Sequence, residues 1–226
     1  MADAKRPAPA RVEALRALVE LQDPEVVAVI QTLLRDPESS LVAEALTQLA
    51  RLDPSRALPI LQTALNDDMA PVGVRQRALW ALTDLKTADA DQVLQTWMDR
   101  LLQGDVPAAL HLDLIDAARL RSQAFPALAE RLAQFDQSRP ADDPLSGSLE
   151  LMHGGDANKG RQLFVGRTEA ACLRCHRVGG DGGAVGPELD GIGAKRDRRW
   201  ILESLLLPDA QIAEGFETVI VALESG

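Results

Sequence analysis

The sequence predicts an all-α chain in two parts, an α-solenoid of about four helix pairs followed by a small second domain. Three observations carry this expectation. Leucine and alanine dominate an apolar fraction of 46%, while aromatics make up 3% and tyrosine is absent. That balance favours helix packed on helix over strands, whose surfaces draw β-branched and aromatic residues. A leucine-alanine motif recurs at a nearly constant offset, and near residue 145 the composition changes sharply.

The motif is first met as Ala14-Leu15-x-x-Leu18-x-x-Leu21. It returns as Ala45-Leu46-x-x-Leu49-x-x-Leu52 and as Ala78-Leu79-x-x-Leu82-x-x-Leu85, at offsets of 31 and 33 residues. A weaker copy surrounds Leu114, Ala117 and Leu120. Apolar residues at these spacings line one face of a helix. Each copy is followed by a break and a second apolar stretch: Val26 to Leu34, Ala57 to Leu65, Val93 to Leu102, and Phe125 to Phe135. Asp23-Pro24, Asp36-Pro37 and Asp53-Pro54 each set an acidic cap before a proline, the chemistry of a helix start. Helix pairs at this period stack so that each buries its apolar face on its neighbours. Residues 10–136 resemble HEAT repeats, with a unit somewhat shorter than usual.

Nothing in this array predicts catalysis. His111 stands alone on a helix, and Trp80 and Trp97 fall at helical positions that mean packing. Met69 and Met98 read as loop and core. The array is expected to serve as scaffold or docking surface. A net charge of −10 argues against a general nucleic-acid binder, which needs a basic footprint. No apolar run reaches the ~18 residues that span a bilayer.

From Phe135 to Gly154 the chain is rich in Pro, Asp, Ser and Gly, the composition of a linker; residues 137–153 are assigned to it, with a short helical turn at Leu149 to Met152. Beyond lies Cys172-Leu173-Arg174-Cys175-His176, holding both cysteines of the chain. C-x-x-C-H is the pattern of c-type haem attachment: two thiols add to the two vinyl groups of one porphyrin, and the adjacent imidazole binds the iron. A thioredoxin-like dithiol would follow a strand and open a helix, whereas Gly160 to Ala171 reads as helix. A closed zinc site wants four ligands, so His111 or His153 would have to join neighbouring Cys175 and His176 on one metal. Two buried structural thiols with a surface histidine is the blandest alternative. The haem reading is preferred.

The surrounding residues extend the case. Gly155-Asp156-x-x-x-Gly160-x-x-x-Phe164 precedes the motif, with Asp156 as a helix cap and Gly160 expected to admit a close helix crossing. Gly179-Gly180-Asp181-Gly182-Gly183 reads as a mobile loop over a haem edge, and Gly186-Pro187-Glu188-Leu189-Asp190-Gly191 follows. Residues 154–226 resemble a class I cytochrome c. They are more closely similar to the haem-binding domain of planctomycetes and verrucomicrobia, which commonly follows HEAT-like repeats, often behind a β-propeller resembling sugar dehydrogenases. Arg199-Trp200-Ile201-Leu202-Glu203-Ser204-Leu205-Leu206-Leu207-Pro208 and Ile212-Ala213-x-Gly215-Phe216-Glu217 are particularly like that group.

The resemblance implies one covalent haem c, with thioethers at Cys172 and Cys175, His176 as proximal iron ligand, and the Pro187 carbonyl accepting a hydrogen bond from the other ring nitrogen. It places Gly160 and Phe164 where the first helix meets a later one. Among Lys195, Arg196, Arg198 and Arg199, it suggests Arg199, with the Trp200 indole, for a haem propionate; the others would face an acidic redox partner. A class I cytochrome supplies a methionine on the far side of the iron, yet no Met or His follows His176. Met152 and His153 are the candidates within the chain. The preferred expectation is that the distal ligand lies beyond Gly226, where Glu217 to Ser225 reads as the first strand of an insertion.

The predicted architecture is therefore a HEAT-like α-solenoid followed by a small cytochrome c-like haem domain, acting in electron transfer. Its partner would be a redox protein or a neighbouring dehydrogenase domain. Haem attachment of this type takes place outside the cytoplasmic membrane. Met1 to Arg11 carries no apolar signal segment, so the expectation is a piece of a longer periplasmic or otherwise exported protein. A haem protein with an open sixth site, turning over peroxide or binding a gas, is one alternative; a haem-free interaction scaffold is another.

Overall fold

The computed structural model describes residues 6–167, 171–217 and 220. The chain forms two compact units, Met1–Pro140 and Ala141–Gly226. The first contains α1 (Ala8–Glu20), α2 (Val26–Leu33), α3 (Ser39–Leu52), α4 (Pro54–Asn66), α5 (Val72–Leu85), α6 (Ala88–Leu102), α7 (His111–Ser122) and α8 (Pro126–Gln137), with a 3-10 turn at Ala108–Leu110. The odd-numbered helices stack in sequence as one layer, and the even-numbered helices pack against them.

The stacking follows from the repeated leucines. Leu15, Leu46, Leu79 and Leu114 hold equivalent places in the four copies and are all buried in one continuous core. The last motif position behaves differently. Leu21, Leu52 and Leu120 are exposed, whereas Leu85, the last residue of α5, is buried. Polar contacts between adjacent repeats keep the same period: Trp80 Nε1 donates to Asp113 Oδ1 (2.8 Å) and Gln76 to the Ala109 carbonyl (3.0 Å), each across 33 residues. Arg121 grips Asp91 at 2.7 and 2.8 Å, with both side chains nearly buried. Trp97 is buried with the Arg100 guanidinium 4.2 Å from its ring centre, a cation–π arrangement.

Only one of the three Asp-Pro pairs caps a helix directly. Asp53 accepts from the Arg56 amide, with Pro54 in the first turn of α4. Asp23 and Asp36 instead accept from the amides of Glu25 and Glu38, two residues on, and their helices begin later, at Val26 and Ser39. These are turns in which the carboxylate substitutes for a backbone carbonyl. Asp36 is also paired with Arg11. His111 bonds the Val106 carbonyl through Nε2 at 2.9 Å; Met98 is fully buried and Met69 exposed.

The second unit comprises a 3-10 helix (Ser146–Met152), α9 (Ala157–Gly166), α10 (Cys172–Cys175), a two-stranded antiparallel hairpin of β1 (Arg177–Val178) and β2 (Asp181–Gly182), α11 (Ile192–Lys195) and α12 (Arg198–Leu206). The stretch 137–153, expected as linker, begins with the last residue of α8 and is folded into the second unit from Ala141 onward. Leu145 is buried, and the 3-10 helix packs on α12. Asp156 caps α9 by accepting from the Asn158 and Lys159 amides, chiefly the latter, which holds its carboxyl below the usual range. The helix expected to continue to Ala171 stops at Gly166. The strand expected from Glu217 to Ser225 lies largely outside the described residues.

Candidate functional site

The C-x-x-C-H motif occupies the single turn α10 and the residue after it. Ala171 opens the turn in the left-handed region (φ 47°), and the His176 amide closes it on the Cys172 carbonyl at 2.9 Å. Both thiols are free, with Cys172 half-buried and Cys175 exposed. The spacing of three sets them one turn apart on a short helix.

Behind this turn runs the glycine-rich segment, expected to be a mobile loop. It is instead tied down by backbone bonds. The Gly183 amide donates to the Leu173 carbonyl (2.8 Å), the Gly186 amide to the Cys175 carbonyl (2.7 Å) and the Leu189 amide to the Arg177 carbonyl (3.0 Å). Asp190 accepts from the Gly179 amide at 2.8 Å. Such close approach tolerates no side chain. A Cβ at Gly182 would lie 2.1 Å from the His176 carbonyl oxygen, and Gly182 also takes φ +110°. A Cβ at Gly186 would lie 2.8 Å from Cε1 of the His176 ring. The glycine run was legible, but its role as a backing plate depends on a fold-back that local sequence does not state.

His176 is oriented from this segment. Its Nδ1 lies 2.8 Å from the Pro187 carbonyl oxygen. A carbonyl only accepts, so Nδ1 carries the proton and donates, leaving Nε2 with the lone pair. An imidazole fixed in this way has the tautomer and ring orientation of a metal ligand with an outer-sphere anchor. Two free thiols one turn apart, followed by an imidazole presenting Nε2, form a donor set that fits a covalently attached haem. Among the described residues no group of three or more His, Cys, Asp or Glu side chains is placed to hold a metal ion, so the closed zinc arrangement has no ligand set there.

The other candidates are placed elsewhere. Arg199 forms a bidentate pair with Asp143 (2.7 and 2.9 Å), and this hydrogen bond holds the Asp143 carboxyl below its ordinary value. The Trp200 indole donates to Gln211 (2.7 Å). Both groups expected at a propionate therefore have protein partners. Met152 lines a cavity of about 340 Å³ with Leu151, Ile201, Leu202 and Leu205, and no residue of α10 contributes to that wall. His153 follows it at the end of the 3-10 helix. A Cβ added at Gly160 would meet no atom within 4 Å, so the expected close helix crossing is absent there among the described residues. Phe164 is half-buried in α9 and lines a cavity with Cys172.

Comparison with protein families bears on both units. Residues 2–83 match the family of HEAT repeats, and residues 157–218 match cytochrome c. The chain joins HEAT repeats to a cytochrome c domain. No curated protein and no solved structure matches it. The cytochrome c domain makes this a haem-binding electron-transfer module and implies a redox partner. Beyond residue 83 the structure continues the helix pairs of the HEAT repeats to Gln137. Cytochrome c domains are typically exported, and no described helix is long and apolar enough to cross a membrane.

Proposed function

We propose that the chain carries one haem c, joined through thioethers at Cys172 and Cys175 and bound at iron by Nε2 of His176, and that it passes single electrons to and from a redox partner. The haem supplies the ferrous–ferric couple; the protein sets its potential through ligand basicity, burial and nearby charge. The observation that carries the reading is the 2.8 Å contact between His176 Nδ1 and the Pro187 carbonyl, beside a turn bearing two free thiols. It orients the imidazole and strengthens Nε2 as a donor. Exposed Leu163, Val165 and Val185, in a unit that buries few apolar side chains, add surface suited to a large flat apolar group.

In the wider setting, residues 154–226 are the haem domain of a periplasmic or otherwise exported protein, working beside a dehydrogenase-like domain while the repeats position it. The test is expression in cells that contain c-type attachment machinery, followed by intact mass and the pyridine haemochrome spectrum. One haem per chain is expected, and Cys172→Ala/Cys175→Ala should lose covalent attachment altogether. A fully matured chain with both thiols unmodified would sink the proposal.

A further inference from the structure

The even-numbered helices of the array repeat a surface pattern as well as a core one. Val29-Ile30-Gln31-Thr32 on α2, Ile60-Leu61-Gln62-Thr63 on α4 and Val93-Leu94-Gln95-Thr96 on α6 stand at offsets of 31 and 33 residues, the period of the leucine motif. Burial of Ile30, Leu61 and Leu94 accounts for the second position. It does not account for the last two. The three threonines, Gln31 and Gln62 are exposed, and Gln95 is half-buried. Other exposed positions of these helices have diverged, as Ala28, Pro59 and Gln92 show. The threonine hydroxyls donate to the carbonyls of those three residues, at 3.1, 2.9 and 2.9 Å. The three carboxamides have no hydrogen-bond partner among the described residues.

The same face is almost free of charge. No charged residue lies from Val26 to Leu33 or from Ala57 to Asn66, and Asp99 and Arg100 of α6 are paired with Arg131 and Asp105. A solvated helix face ordinarily carries charged side chains. That of the odd-numbered helices does, with Arg16 paired to Glu44 and Arg51 to Asp84 across repeats. Gln31 and Thr32 also line an open groove of about 960 Å³ with Ala28, Leu34 and Ile60; its charged residues, Arg35 and Asp36, come from the loop after α2.

Depletion of charge marks the centre of a protein interface. In a chain of net charge −10 it also removes the repulsion that holds two copies apart. A two-fold interface sets one patch against itself, so its polar groups must pair with their own kind. A carboxamide can, because it offers N–H and C=O together; a carboxylate or an ammonium cannot. Three rungs also suit an axis through the middle one. At about 10 Å per helix and about 20 Å of length, the outer faces of three helices span about 600 Å², the lower end of what each partner buries in a stable dimer.

We propose that α2, α4 and α6 form a face on which a second copy of this chain docks about a two-fold axis. The axis passes through Gln62, which pairs with its own counterpart, and Gln31 pairs with Gln95 of the other copy.

Sedimentation equilibrium of the full chain at low salt should give twice the monomer mass at micromolar concentration. Gln62→Lys brings like charges together at the axis and should weaken the dimer about tenfold or more. Gln31→Lys/Gln95→Glu brings opposite charges together and should hold or tighten it. Gln31→Lys/Gln95→Lys and Gln31→Glu/Gln95→Glu should break it. All of these variants change solvent-accessible positions, so their far-UV circular dichroism should match the parent, and a difference in mass then reads register and not folding. A monomeric parent assigns the face to some other partner and overturns the proposal. A dimer indifferent to Gln62→Lys overturns it too, as does one that responds alike to like and opposite charges at positions 31 and 95.

Discussion

The two units are built on opposite principles. The repeat array buries a continuous core of aliphatic side chains from Leu15 to Leu132. The second unit buries Leu145, Glu150 and Leu202 among its described residues and is held by helix caps, backbone bonds around α10 and the Arg199–Asp143 pair. An array of this kind folds by removing its own apolar surface from water. The haem unit spends its sequence on placing a few groups, and it leaves Leu163, Val165 and Val185 at the surface.

The largest expected effect tests that contrast directly. Leu79 is fully buried in the array, so Leu79→Ala should cost about 2–5 kcal/mol through lost burial and the cavity left behind. Leu163, on α9, is 50% exposed, and Leu163→Ala in the haem-free chain should change stability by no more than about 0.5 kcal/mol. Urea unfolding followed separately for the two units reads both values. Equal losses would break the comparison.

Next comes the backing of His176. Gly186→Ala puts a methyl 2.8 Å from the ring, so the imidazole must swing and lose its bond to Pro187. The strain should destabilise the haem-free second unit by about 1–3 kcal/mol. In the haem-loaded chain the midpoint potential should rise, because an imidazole without that acceptor is less basic and stabilises ferric iron less. Redox titration checks the direction; an unmoved potential would separate the glycine from the ligand. Gly160→Ala should do the reverse and stabilise by about 0.5–1 kcal/mol, since it sits in a helix with open space around it. A loss there would restore the close helix crossing that the G-D-x-x-x-G-x-x-x-F pattern suggests.

This contrast also explains what could be read from sequence. Side-chain periodicity reports apolar burial, so the repeat leucines and the helix pairs were plain. The C-x-x-C-H pattern was equally plain because it occupies five consecutive residues. What escaped depends on partners distant in sequence. Arg199 reads as a propionate ligand until Asp143, 56 residues earlier, is found against it. The 137–153 stretch has linker composition, yet Leu145 is buried and Asp143 is bound. The glycines at 182 and 183 read as mobility, and among the described glycines they are where the chain is most tightly backed.

The smallest effects concern two aspartates of the array that titrate in opposite senses. Asp36 is held below the ordinary carboxylate range, chiefly by its hydrogen bond to Arg11 and also by the Glu38 amide. Asp113 is pushed up, chiefly by burial, although Trp80 and Gln76 donate to it. For Asp36 the unfolded chain binds the proton more readily, so its stabilisation is present above the unfolded value of about 3.9 and is lost as pH falls through the lower folded value. For Asp113 the folded chain binds the proton more readily. Its ionisation therefore opposes folding at neutral pH, and that penalty disappears as pH falls through the raised folded value toward the unfolded one. Asp36→Asn should thus weaken the array at neutral pH and flatten its acid sensitivity. Asp113→Asn, whose amide oxygen can still accept from Trp80, should strengthen the array at neutral pH and make the acid loss steeper. Urea midpoints of the array across the acid range measure both slopes, and two variants moving the same way would remove burial as the cause at Asp113.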